Sequence, residues 1–295
     1  MADSKLVGII GLGIMGGAIA RNLLAAGYRI VGHDIDEAKR KEMGAAGVEM
    51  VNGAAAVAGK AEMILTSLPK ETALEATVRD IAGAKLPRRI VAELSTFTIE
   101  DKQAAQRALH EAGHVLLDCP LSGTGAQAKT KDLTVYASGD TAAIKTIRPV
   151  LQAFSKDVYD LGAFGNGSRM KYVANLLVAI NNVATAEAMV LGIKAGLDPK
   201  QIVEVIAKGA GGSRILELRG PMMAKNNYDD ATMRISTWHK DMKVIGQFAT
   251  NMGVATPTFS ATLPIYAAAS AQGHGDHDTA AVCAVLEQMA GVTRR

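Results

Sequence analysis

Apolar and polar positions along the first half of the chain fall into blocks whose period switches between that of a strand and that of a helix. Leu6–Ile10 is an unbroken apolar run, long enough for a strand buried on both faces. Ala18, Ile19, Leu23 and Leu24 follow at helical spacing, and this segment stops at Gly27. Residues 29–33 form a second strand-like run that ends in Asp34. Further strands are predicted over 61–69, ended by Pro69, over 89–96, over 114–120 and over 133–139. Between them, 98–112 has helical spacing with Thr98 as its cap. Strands alternating with helices predict an α/β fold built on a doubly wound parallel sheet. Beyond about Gly165 the strand signals stop. Alanine- and leucine-rich helical segments follow, divided by Pro199, the glycines at 209–212, Pro221, Gly253, Pro257 and Gly273. The expected organisation is this α/β domain over 1–164 and an all-helical domain over 165–295. No flexible linker stands between them, and a helix starting near Ser168 opens the second. The longest apolar stretch, from Tyr172 to Ile193, contains Asn175, Asn181, Asn182 and Glu187, which are costly in lipid; it reads as a long helix buried in protein.

Composition narrows the class. At 48% hydrophobic and 21% charged residues, the chain reads as an ordinary soluble globular protein of two domains. A net charge of +3, with the 32 Lys and Arg dispersed, argues against a nucleic-acid or membrane partner. Cys119 and Cys283 form no paired motif and read as two reduced, buried thiols. With a short polar N-terminus and no signal peptide, the expected location is cytoplasmic.

The turn after the first strand carries the first chemistry. Gly11-Leu12-Gly13-Ile14-Met15-Gly16 is a G-x-G-x-x-G set between strand and helix. The first glycine allows the tight turn, the second lets backbone approach a pyrophosphate, and the third lets the helix pack on the strand. The helix N-terminus then offers its N–H groups to the phosphates. Asp34, 23 residues after Gly11, stands where a carboxylate accepts hydrogen bonds from ribose hydroxyls and repels a 2′-phosphate. NAD is therefore the expected cofactor. NADP is the alternative, because Lys39 and Arg40 stand close by in sequence.

Ligands of open parallel sheets bind at the carboxyl ends of the strands. Leu68-Pro69 and Ser95-Thr96 end two strands, and their short loops are expected beside the cofactor. A third strand end runs into Ser122-Gly123-Thr124, whose hydroxyls and backbone suit a small carboxylate. Each of these loops reads alternatively as an ordinary turn. Further on, Lys171 and Asn175 are four apart and share one helix face that is otherwise apolar. An apolar setting disfavours the charged form of a lysine and moves it toward use as a general acid or base. A lysine that snorkels to solvent is the ordinary alternative.

Taken together, these motifs resemble the β-hydroxyacid dehydrogenase family. The resemblance spans nearly the whole chain. It is carried by Gly11-Leu12-Gly13-Ile14-Met15-Gly16, Asp118-x-Pro120-x-Ser122-Gly123, Gly165-x-Gly167-x-x-x-Lys171-x-x-x-Asn175, Lys240-Asp241 and Gly273-x-Gly275-Asp276-x-Asp278. It implies that Lys171 is the catalytic lysine, that Asn175 orders substrate and lysine, and that Ser122 and Gly123 bind the substrate carboxylate. Thr96 and Lys240 match positions near the nicotinamide. The chain departs from the family's usual residues at Cys119, Thr124 and Lys131-Asp132, which leaves the tail of the substrate open. His274, Asp276, His277 and Asp278 could suggest a metal, but the resemblance makes them a loop and a helix cap, with Asp278 and Thr279 opening the last helix. No metal is expected.

The expected activity is hydride transfer between NAD and a small 3-hydroxy acid of the 3-hydroxyisobutyrate type, by a homodimer or homotetramer. One alternative is an NADPH-dependent semialdehyde or glyoxylate reductase. A decarboxylating 6-phosphogluconate dehydrogenase fits less well, because such chains have a much longer helical domain. An alternative of another class is a non-catalytic dinucleotide-binding module, which the presence of Lys171 disfavours.

Overall fold

A computed structural model describes residues 5–294. The chain divides into two compact units between Lys171 and Tyr172. The first is built on six parallel strands: β1 (Leu6–Ile10), β2 (Arg29–His33), β3 (Glu49–Met50), β4 (Met63–Thr66), β5 (Ile90–Glu93) and β6 (Val115–Asp118). Their order is β3-β2-β1-β4-β5-β6, so the chain winds outward from β1 in both directions. That order leaves a crevice where the winding reverses, at the carboxyl ends of β1 and β4. The connecting helices are α1 (Ile14–Ala25), α2 (Glu37–Ala45), α3 (Ala54–Lys60), α4 (Glu71–Gly83) and α5 (Ile99–Glu111).

The unbroken apolar runs of the strands are explained by burial on both faces. Successive residues point to opposite sides of a sheet. Ile9, Leu65, Ala92 and Leu117 enter the core on one face, and their neighbours Ile10, Ile64, Val91 and Leu116 enter a second core on the other. Thr98 caps α5 as expected, accepting a hydrogen bond from the Asp101 N–H at 3.1 Å. Cys119 and Cys283 are free and buried. Burial raises both thiols, that of Cys283 to about 11, and so keeps them protonated and unreactive.

The strand expected over 133–139 does form, but it joins a separate sheet. β7 (Leu121–Ser122), α6 (Gly125–Lys129), β8 (Thr134–Ala137), α7 (Thr141–Phe154) and β9 (Asp157–Asp160) follow β6. β8 pairs antiparallel with β7 and parallel with β9, giving a mixed three-stranded sheet of order β7-β8-β9. A two-residue strand and a charged one are too short and too polar for their periodicity to show.

The second unit is helical among its described residues. α8 (Asn166–Lys194) enters it from the first unit. α9 (Pro199–Ile206), α10 (Arg214–Lys225), α11 (Ile235–Asn251), α12 (Pro257–Ala271) and α13 (Val282–Ala290) complete it, with a short 3-10 turn over Thr279–Ala281. Asn182 and Asp278, both buried, find partners within the unit. Asn182 donates to the Tyr266 hydroxyl at 2.9 Å and to the Thr279 carbonyl at 2.8 Å. Asp278 caps the 3-10 turn through the Ala280 N–H at 2.9 Å and pairs with the buried Arg219 at 3.2 Å. α8 is long and apolar enough to cross a membrane by length and composition alone. Its burial is less complete than the sequence suggests, since Val173, Leu177 and Leu191 are exposed on this chain.

Candidate active site

The glycine turn has the form a dinucleotide requires. Gly11 has φ +88°, and a Cβ there would lie 2.1 Å from the Ser67 carbonyl; one on Gly16 would lie 1.9 Å from the Gly11 carbonyl. Gly11 must be glycine for the turn to lie this close to the end of β4, and Gly16 for α1 to lie this close to the turn. Gly13 differs: a Cβ there would meet nothing within 4 Å, so open space lies above the turn. No side chain caps α1, so its first N–H groups are left to a ligand. Leu12 is buried, Met15 half-buried, and Ile14 exposed beside the turn.

Asp34 closes this turn from β2. Its Oδ2 accepts from the Leu12 N–H at 2.6 Å and its Oδ1 from the Asp36 N–H at 2.8 Å. The carboxylate is thus aimed at the glycine loop and remains partly accessible. The two neighbouring cations are engaged elsewhere. Arg40 donates to Asn52 Oδ1 at 2.7 Å, and Lys39 to Glu42 at 3.0 Å. An open cradle, an uncapped helix end and a carboxylate together fit a dinucleotide.

The loops after β4 and β5 are tied to each other. The Ser95 hydroxyl accepts from the Leu68 N–H at 2.8 Å, and the Ser95 N–H donates to Glu93 Oε1 at 2.8 Å. Ser95 therefore shapes the loop that carries Leu68 and Pro69. Leu68 and Thr96 are half-buried, and Pro69 is exposed.

Ser122 lies in β7, paired with Thr134 across the ladder. Gly123 follows with φ +133°, where a Cβ would collide with Leu133 at 2.5 Å. Thr124 has a local role that the sequence reading did not give it: it starts α6, its N–H donating to Gln127 Oε1 at 3.0 Å.

α8 carries Lys171 and Asn175 one turn apart, both buried, at 7% and 4% exposure. Asn175 donates to Asp241 Oδ2 at 3.0 Å within the second unit. Lys240, on α11, lies 3.7 Å from the Asp241 carboxylate. The start of α8 is held by side chains distant in sequence. Asp118 Oδ2 accepts from the Ser168 N–H at 2.7 Å, and Asp118 Oδ1 from the Ser168 hydroxyl at 2.8 Å. The Ser138 hydroxyl accepts from the Gly167 N–H at 3.0 Å. Two of the N–H groups that a helix start leaves open are thereby satisfied.

Sequence reasoning missed what lies behind Asp118. Lys102 is 1% exposed, and its Nζ lies 2.8 Å from Asp118 Oδ1 and 2.7 Å from Glu93 Oε2. Burial alone would lower this lysine's pKa, but the two carboxylates outweigh it and hold the ammonium well above its ordinary value. Breaking a buried pair of this kind typically costs about 3–5 kcal/mol. A signal was present. Ile99, Lys102, Ala105 and Leu109 form the buried face of α5, and a lysine on such a face needs a partner.

Comparison with known proteins bears on both halves of the chain. Residues 6–162 match the family model described as the NAD binding domain of 6-phosphogluconate dehydrogenase. Residues 165–286 match the one described as the NAD-binding of NADP-dependent 3-hydroxyisobutyrate dehydrogenase. The chain is 30% identical to 2-(hydroxymethyl)glutarate dehydrogenase of Eubacterium barkeri, over 99% of this chain and 98% of that protein. It is 31% identical to L-threonate dehydrogenase of Cupriavidus necator, over 96% of each. The crystal structure of 3-hydroxyisobutyrate dehydrogenase from Salmonella typhimurium superposes with a TM-score of 0.86 at 29% identity, covering 95% of this chain and 99% of that one. With both halves matched in order, the chain belongs to the β-hydroxyacid dehydrogenase family and is an NAD(P)-dependent hydroxyacid oxidoreductase.

Proposed function

We propose that this enzyme oxidises a small 3-hydroxy acid reversibly, with NAD as its preferred cofactor and Lys171 as the proton carrier. The observation that carries the reading is the burial of Lys171 one turn into α8, with Asn175 on the same helix face. A bound nicotinamide supplies the hydride acceptor. In oxidation, neutral Lys171 takes the hydroxyl proton at Nζ as the O–H bond breaks; in reduction it returns that proton to the carbonyl oxygen. Asn175 orders substrate and lysine, and Asp241 holds the Asn175 amide. Ser122 and Gly123 grip the substrate carboxylate, with Thr124 closing the loop. Leu68, Pro69, Ser95, Thr96 and Lys240 belong to the cofactor side. A homodimer or homotetramer in the cytoplasm completes the reading. Its support is the apolar groove of the second unit, where Leu191 and Met289 are 74% and 69% exposed. A panel of small hydroxy acids, each offered with NAD and with NADP while the absorbance of the reduced cofactor is followed, tests the whole reading. Turnover of 3-hydroxy acids with NAD is the expected result.

The preference for NAD rests on Asp34. Its carboxylate faces the glycine loop, where it repels a 2′-phosphate, while Lys39 and Arg40 are engaged elsewhere. The competing NADP reading draws on the description of the model that matches 165–286 and on how weak such surface pairs are. In wild type, kcat/KM with NAD should exceed that with NADP. Asp34→Ser should narrow the ratio roughly 10-fold, about the worth of one hydrogen bond to a charged group. A wild-type preference for NADP would show that the nearby cations win.

Ser122→Ala is expected to raise KM for the hydroxy acid several-fold, with NAD affinity and melting temperature nearly unchanged. A lower melting temperature with the same KM would return this residue to a packing role.

A further inference from the structure

Three ionisable side chains that the reaction does not use are buried together beneath the start of α8. Lys102, Glu93 and Asp118 are all at or below 1% exposure. Two carboxylates meet one ammonium, at 2.7 and 2.8 Å. The surplus negative charge has a partner of another kind. Asp118 presents Oδ2 to the Ser168 N–H at 2.7 Å, at the positive end of the α8 dipole. Its Oδ1 is shared between Lys102 and the Ser168 hydroxyl. Lys171 follows Ser168 by three residues, so it stands directly above the clamped turn. A ring of contacts thus runs from α5 through the ends of β5 and β6 to the turn that carries Lys171.

We propose that Lys102 is a positioning residue: its ammonium holds Asp118 in place beside Glu93 and aimed at Ser168, and so sets the place of Lys171. Without Lys102, Glu93 and Asp118 repel each other. The clamp on α8 loosens as they move apart. An error of about 1 Å at a catalytic group can cost 10²-fold in rate.

This inference rests on Lys171 being the proton carrier, and the experiment separates the two. Steady-state kinetics are measured for Lys102→Met, Lys171→Ala, the Lys102→Met/Lys171→Ala pair and the Lys102→Met/Glu93→Gln pair. Lys102→Met should lower kcat by about 10-fold or more while KM for the cofactor moves less than about twofold. Added to Lys171→Ala it should slow the enzyme no further, since residues acting as a unit are not additive. Glu93→Gln removes the repelling charge and should restore kcat to within about threefold of wild type. If Lys102→Met does not fold, Asp118→Asn carries the test, because it keeps the shape and one of the two acceptor oxygens but loses the charge. It should lower kcat in the wild-type background and not in the Lys171→Ala background. A Lys102→Met or Asp118→Asn enzyme with wild-type kcat overturns the proposal. So does a loss that multiplies unchanged on Lys171→Ala, or a Glu93→Gln pair no faster than Lys102→Met alone. A Lys171→Ala enzyme with normal kcat overturns the reading on which the proposal rests.

Discussion

Lys171→Ala is expected to lower kcat by about 10²–10⁴ while NADH still binds. The size follows from the role. Removing a positioned proton carrier leaves water to do its work, and general acid–base catalysis typically contributes that range. Binding is expected to survive, because the glycine turn and Asp34 make their contacts on β1, α1 and β2, away from α8 in sequence. A lysine that merely extends to solvent would be mostly exposed, whereas Lys171 is 7% exposed. Steady-state kinetics on the best hydroxy acid, with NADH titrated by fluorescence, separate lost chemistry from lost binding.

The second large effect concerns Gly167. A Cβ at this position would lie 2.3 Å from the Tyr136 carbonyl oxygen, 2.7 Å from that of Asp118 and 3.0 Å from the Pro120 ring. These are mostly backbone atoms, so no rotamer change relieves the clash. The start of α8 must move away from β6 and β8, and the Gly167 N–H must leave the Ser138 hydroxyl. Gly167→Ala should therefore cost about 3 kcal/mol, the upper part of the range for overpacking. At roughly 2–4 °C per kcal/mol, the melting transition of the first unit falls by roughly 6–12 °C. Calorimetry measures this directly. Because Lys171 stands four residues further on, kcat should fall as well. An unchanged melting temperature would mean that helix and strand ends are not in such close contact.

The parts of the fold that local pattern dictates were legible from the chain. The runs at 6–10 and 29–33, the helix between them and the Thr98 cap all depend on neighbours in sequence. They form where the periodicity puts them, and the parallel sheet follows. What was not legible depends on partners far away. Leu121 and Ser122 become a strand only because Val135 and Thr134 lie opposite, and in Asp157–Asp160 the apolar Val158 and Tyr159 are adjacent between two acids, so no alternation marks the strand. Asn182 donates its amide N–H to the Tyr266 hydroxyl, 84 residues away. In the candidate site the same division holds. The glycine turn and the i, i+4 relation of Lys171 to Asn175 are local and readable. The clamp of Asp118 on Ser168 spans 50 residues and has no local signature. Lys102 was the one readable clue to it, as a charge on the buried face of α5.

Chemical rescue of Lys171→Ala tests the central claim most directly. The variant is saturated with cofactor and hydroxy acid at fixed pH, and small primary amines of increasing basicity are added. If Lys171 carries the proton, the slow rate rises with amine concentration and, at equal free-amine concentration, with amine basicity. A variant that turns over near the wild-type rate with no amine present would contradict the account.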